Sequence, residues 1–242
     1  MRIISSSLVV AFLLSVAAVP TADAWIGSSL KASVTKYDIR AAIKAKKSAS
    51  KKVARPASVE LPASAKGGLL WGDPEATTTI VMFTDIECPF CQRFHSVTFP
   101  ALKKDYIDTK KIRFVVRHFP LSFHKHAYGA SEAVVCARAQ GDDKARLLYE
   151  KLIASSKLAA SDIAKLAAGV QGMDIDALSD CMEDDTAAKT IENDLSLGKA
   201  AKVSGTPAFL IIGPTGNQKQ IMGAYPIASF KTAVEAVQAG TK

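Results

Sequence analysis

Cysteine is scarce, with four residues in a chain of 242. That excludes a small secreted fold held together mainly by disulfides. Apolar residues are not scarce: 48% of the chain is hydrophobic, which excludes a disordered or collagen-like polymer. No internal repeat runs through the sequence. The length suits one good domain and would also permit two small ones. An excess of one charge is missing from most of the chain. Residues 67–242 hold twenty Lys/Arg and twenty Asp/Glu, so they give no sign of a nucleic-acid partner. The formal net charge of +8 sits instead in residues 25–66, with ten Lys/Arg against two Asp/Glu.

The chain opens with "MRIISSSLVVAFLLSVAAVPTADA". Arg2 is a short basic region, an apolar stretch runs to about Val19, and Ala22-Asp23-Ala24 is an A-x-A cleavage pattern. The apolar run is short for a membrane span, and small residues follow where basic ones would mark a stop. Residues 1–24 therefore read as a secretory signal peptide. Export to a periplasmic or external space places the cysteines where disulfides persist.

Residues 25–66 form a tail rich in Lys, Ala and Ser. Leu30, Val34, Tyr37 and Ala41 fall at helical spacing, and the stretch after Ala49 has linker composition. The plain reading is a solvated spacer. The sharper readings are a stalk that joins copies into a homo-oligomer, or contact with anionic lipid headgroups.

The main domain, residues 67–242, begins near "GGLLWGDPEA". "TTIVMFTD" is a β-branched apolar run, as in a strand buried on both faces. Pro89 opens a helix with Phe90, Phe94, Val97, Leu102 and Tyr106 on one face, which Pro100 should kink or break. "KIRFVVRHF" is a second strand, completing a βαβ unit. A helical block at about 123–203 is punctuated by Gly141, Gly169 and Gly172. "PAFLIIG" and "QKQIMGA" flank the turn "PTGN" as a hairpin, and Ile227 to Ala239 closes the chain as a helix. The expected order is β-α-β, a helical insertion, then β-β-α.

Cys88 and Cys91 stand as C-P-F-C after the first strand. As a staple they would close only four residues and constrain little chain. As half of a zinc site they lack a second close pair. A redox couple fits the setting. Pro89 in the first turn makes Cys88 the N-cap, where free N–H groups and the helix dipole favour a thiolate. Cys88 is then the attacking thiol and Cys91, one turn in, the resolving one.

The stretches "WGDPEATTTIVMFTDIECPFCQRF", "VVRHFPL" and "VSGTPAFLI", in that order, resemble the DsbA-like branch of the thioredoxin-fold disulfide oxidoreductases. The resemblance covers about residues 67–242. It implies an α/β thioredoxin fold and protein-disulfide exchange without a bound cofactor. It also implies Cys88 as nucleophile and Thr206-Pro207 as the cis-proline loop that receives substrate. It further implies cysteine-containing exported proteins as substrates and a membrane redox partner that recycles the dithiol. Strongly oxidising members carry Pro-His between the cysteines, whereas this chain has Pro89-Phe90. Phe90 donates no hydrogen bond, and Glu87 adds a nearby like charge. Both should make the disulfide a milder oxidant, with the Cys88 pKa between about 3.5 and about 7.

Cys136 and Cys181 lie in the helical block, where family members with a second pair place it. A structural disulfide there encloses about 46 residues; the other reading is two separate buried thiols. Asp85 at the strand end is either a buried carboxylate that moves the resolving thiol's proton or a solvated strand end. His118, His124 and His126 read as loop and cap residues, with no metal site. Two further functions compete with an oxidase for the same dithiol: an oligomeric isomerase or reductase, and a Cu(I)-binding protein.

Overall fold

A computed structural model describes residues 62–240. The expected signal peptide and the tail up to residue 61 lie outside the described residues, and with them the reading of the tail as a stalk. Five strands form one sheet: β1 Leu69–Gly72, β2 Thr78–Thr84, β3 Ile112–His118, β4 Ala208–Ile212 and β5 Gln218–Met222. Their spatial order is β1-β3-β2-β4-β5. β2 and β3 are parallel, and every other neighbouring pair is antiparallel. β1 adds a strand to the four expected, within the stretch read only as the start of the domain.

β2 is the centre of the molecule, buried at all seven positions. Its side chains alternate between faces, as a strand requires. Ile80 and Met82 enter the larger core cluster, while Val81 and Phe83 enter a smaller one on the opposite face. The larger cluster takes Phe94 and Leu102 from α1 (residues 89–107), and Phe230 and Val234 from α7 (Ile227–Gln238). It also takes apolar residues from four helices of the insertion: α2 Ala127–Ala139, α3 Asp142–Ile153, α4 Ala160–Ala168 and α5 Ile175–Glu183. The smaller face is covered by α6, Asp185–Ala200, through Leu195 and Leu197. There Gly198 allows a close approach: a Cβ on it would stand 2.5 Å from the Phe119 ring. Gly141 precedes α3 at φ 130°, Gly169 caps α4 and Gly172 leads into α5.

α1 departs from the expected single face. It alternates α-turns, Pro89–Arg93 and Phe99–Leu102, with π-turns, Phe94–Thr98 and Lys103–Ile107. Each π-turn inserts a residue and rotates the helix beyond it. Phe94 and Leu102 are buried, whereas Val97, within the first π-turn, is 70% exposed and Phe90, in the turn before it, 54%. Pro100 does not break the run. It falls in the first turn of the segment that restarts after the first π-turn, where its missing N–H costs little.

A buried ion pair fastens the start of the domain. Arg117 Nη1 donates to Asp194 Oδ1 at 2.7 Å, and Asp194 Oδ2 accepts from the His118 backbone N–H at 2.9 Å. The same guanidinium donates to the carbonyls of Ser64 and Lys66. Ser64 and Ala65 are buried, so the packing begins before Gly67. His118 is a buried strand residue rather than a loop residue, and burial pushes its pKa down to about 4. Among the described residues no helix is long and apolar enough to cross a membrane.

Candidate active site

The loop after β2 delivers the dithiol to the start of α1. Cys88 is the N-cap of the first turn, with extended backbone (φ −69°, ψ 121°) and Pro89 following. Both cysteines are free thiols here, and Cys91 is fully buried. The Cys88 sulfur lies 3.4 Å from the Thr206 carbonyl oxygen. The Thr206–Pro207 peptide bond is cis, and the Pro207 carbonyl accepts from the Gly223 N–H at 2.7 Å.

The two sulfurs occupy opposite environments. The Cys88 pKa is pulled from an ordinary 9.0 down to about 5, first by a hydrogen bond from Cys91. Partial burial opposes this, and the Thr206 side chain and the N–H groups of Cys91 and Phe90 add to it. Those N–H groups belong to the helix end, whose donors have no partner within the helix. Cys91 is raised well above the ordinary thiol value, first by burial and then by Cys88. Cys88 is thus the thiolate at neutral pH and Cys91 the thiol.

Asp85 is a buried carboxylate, as in the first of its two sequence expectations. It is fully buried, not solvated, and both its oxygens are engaged by N–H groups. Oδ1 accepts from the backbone N–H of Glu87 at 2.8 Å and of Cys88 at 3.1 Å. Oδ2 accepts from the Leu121 N–H at 2.7 Å and meets His124 Nδ1 at 2.8 Å. The carboxylate therefore organises the loop, and its acceptor positions are taken up away from Cys91. Glu87 corrects an expectation. Its Oε2 accepts from the His126 N–H at 2.6 Å, at the head of α2. It is committed to that helix end and is not among the groups that shift the Cys88 pKa.

Phe90 stands exposed beside the dithiol, with the Arg93 guanidinium 5.2 Å from its ring centroid. Sequence reasoning missed Gln92, whose Nε2 donates to the Ile86 and Ser155 carbonyls, both at 3.2 Å. That amide ties the dithiol helix to the end of α3, and nothing in local sequence marks it. Cys136 and Cys181 are joined as a disulfide between α2 and α5.

A central βαβ unit, a dithiol at a helix N-terminus and a facing cis-proline define a thioredoxin-fold dithiol protein. The family model described as thioredoxin matches residues 64–236. A putative protein-disulfide oxidoreductase of Rickettsia felis is 31% identical over 179 residues, covering 69% of this chain and 59% of that one. The Na(+)/H(+) antiporter NhaA 1 of Salinispora arenicola is 32% identical over 174 residues, covering 71% of this chain and 25% of the antiporter. The oxidised crystal structure of BdbD from Bacillus subtilis superposes with a TM-score of 0.63 at 25% identity, covering 71% of this chain and 93% of that chain. The chain therefore belongs to the thioredoxin superfamily, in its DsbA-like branch. It spans only part of the length of these curated relatives.

Proposed function

We propose that this protein is an exported thiol-disulfide oxidoreductase that passes disulfides to cysteine-containing proteins in the periplasm. The observation that carries this reading is the opposition of the two sulfurs, a thiolate-forming Cys88 at the helix N-terminus and a thiol at Cys91 that full burial keeps protonated. In the oxidised form a substrate thiolate attacks the Cys88 sulfur. The Cys88–Cys91 bond breaks, and Cys91 leaves and takes up a proton. A second substrate thiolate then attacks the substrate sulfur of the mixed disulfide, and Cys88 departs as thiolate. The substrate loses two electrons and the dithiol gains them. A membrane redox partner then removes them to restore the disulfide.

The low Cys88 pKa favours this direction, because a stable thiolate is a good leaving group and stabilises the reduced enzyme. The signal-like residues 1–24 and the Cys136–Cys181 disulfide support an oxidising compartment. The names of the rickettsial relatives support the reaction class. The test adds stoichiometric oxidised protein to a reduced, unfolded cysteine-containing substrate. Wild type should transfer its disulfide. Cys91→Ser, with its Cys88 first loaded as a mixed disulfide with glutathione, should release the glutathione and accumulate mixed disulfides with the substrate through Cys88, and Cys88→Ser treated in the same way should form none. Mixed disulfides on Cys91 in the Cys88→Ser protein would reverse the assignment.

A further inference from the structure

β2 ends in an anomaly. Ile80 and Met82 point into the larger core cluster, and Thr84 is the next residue on that face. A hydroxyl thus enters a core position, fully buried. It has no partner in ordinary hydrogen-bond geometry. Cys91 and Tyr149 both belong to the core cluster that this face of β2 enters, and the Thr84 hydroxyl lies within electrostatic reach of the Cys91 sulfur and the Tyr149 hydroxyl. Tyr149, from α3, is 1% exposed, and its hydroxyl is likewise unpartnered. Leaving two such hydroxyls unpaired is costly, and a buried thiolate one contact away is an acceptor that would use them. The other candidate, the carboxylate of Asp85, is held by donors from Glu87, Cys88, Leu121 and His124 and meets Cys91 only through its backbone N–H.

We propose that Thr84 is a catalytic residue of the step in which Cys91 becomes a nucleophile: its hydroxyl donates to the Cys91 thiolate, and Tyr149 positions it by donating to the Thr84 oxygen. This rests on the thiol-exchange reading above. In that step the Cys91 thiolate attacks the Cys88 sulfur of a mixed disulfide. The Cys88–Cys91 bond forms, the bond from Cys88 to the outside sulfur breaks, and the electron pair leaves on the outside thiolate. The proton given up by Cys91 goes to that departing thiolate. The donor chain holds the negative charge while it resides on the buried sulfur. Besides Cys88, the titratable groups around this chain are Tyr149 itself, the buried His118 that pairs with Thr84 across β2 and β3, and, beyond Tyr149, His95, with ring centroids 5.4 Å apart, and Glu150.

The experiment mixes reduced full-length protein with excess oxidised glutathione, quenches with acid and follows masses. The first phase adds one glutathione at Cys88. The second releases it as Cys91 closes the disulfide, so that oxidised glutathione is reduced to two thiols. Thr84→Val should leave the first phase intact and slow the second by about tenfold or more, the scale of one hydrogen bond to a charged atom. Thr84→Ser should restore the rate. Tyr149→Phe should slow the second phase by less, and should add nothing in the Thr84→Val background. The pH midpoint of the second phase should rise in Thr84→Val. Its melting temperature should hold or rise, since an unpartnered buried hydroxyl is replaced by a methyl group. A second phase as fast in Thr84→Val as in wild type overturns the proposal, as does a Thr84→Ser protein as slow as Thr84→Val. Tyr149→Phe gives an independent reading if the valine variant does not fold: an unchanged second phase removes Tyr149 from the chain. Wild type that forms no glutathione adduct at all would instead overturn the exchange reading, and this proposal with it.

Discussion

The pH at which Cys88 becomes reactive can be worked out and measured. Its pKa lies at about 5 against 9.0 for an ordinary thiol. The thiolate fraction at pH 5 is then about one half, against about one in ten thousand for a simple thiol of ordinary pKa. A stabler thiolate is also a weaker nucleophile, and with a Brønsted slope of about 0.4–0.5 the four-unit drop removes nearly two decades of intrinsic rate. The net advantage of Cys88 toward a small disulfide is therefore about two orders of magnitude at pH 5. It shrinks to near parity at pH 7 and reverses by pH 9. The assay is the initial rate of mixed-disulfide formation by the reduced protein across this range, beside a simple thiol. The two profiles should cross near neutrality, with the protein's levelling off above pH 6. Cys91→Ala removes the largest contribution to the shift and should move the protein's midpoint upward. A rate that climbs steadily to pH 9 with no crossing would refute the assignment of Cys88 as the thiolate. An unmoved midpoint in Cys91→Ala would refute Cys91 as its donor. The same shift fixes the sign of a stability effect. The unfolded thiol holds its proton up to about pH 9 while the folded one has lost it, so the reduced protein gains stability as pH rises from about 5 to 9. That gain is lost as pH falls through about 5. The slope is at most about 1.4 kcal/mol per pH unit, the value for the one proton that the unfolded thiol retains, and solvent screening narrows the pH window rather than the slope.

Two further outcomes are expected. Replacing Cys136 and Cys181 by alanine opens a closed loop with a sequence separation of 45; denaturant unfolding should show a loss of about 4 kcal/mol, with thiol exchange largely retained. Glu87→Gln should leave the Cys88 titration in place, because the carboxylate serves the His126 N–H at the head of α2, and it should cost about 0.5–1 kcal/mol of stability through the lost charge at that helix end, read by thermal melting.

The elements with strong local signals were legible. The apolar run of β2, the C-P-F-C motif before a helix and the paired runs around "PTGN" each carry their structure in a few adjacent residues. β1 was not legible, because Leu69–Gly72 is four residues long and ends at a glycine, too short to show a period. The helical wheel of α1 failed at Val97 because the π-turn that contains it breaks the 3.6-residue repeat on which such wheels rest, and at Phe90 because that residue lies in the first turn, at the exposed end of the helix. At the site, the N-cap position of Cys88 and the burial of Cys91 were legible from helix-end physics. The directions of Asp85 and Glu87 were not, because their partners Leu121, His124 and His126 are more than thirty residues away in the chain. Thr84 and Tyr149 were invisible for the same reason: a threonine ending a strand and a tyrosine within a helix are unremarkable until the fold brings them together.

The four donors around Asp85 bear on how far this architecture can be taken apart. Two come from the loop that carries the dithiol, and two from the chain that leads into the helical insertion. Excising that insertion to leave a minimal thioredoxin unit would remove His124 and cut the chain just after the Leu121 N–H, disturbing both groups that hold Asp85 Oδ2. The insertion is thus not a detachable module on a self-sufficient catalytic unit. Grafting this C-P-F-C segment onto another scaffold would not reproduce the geometry of its loop unless the scaffold also supplied the two donors that Leu121 and His124 provide.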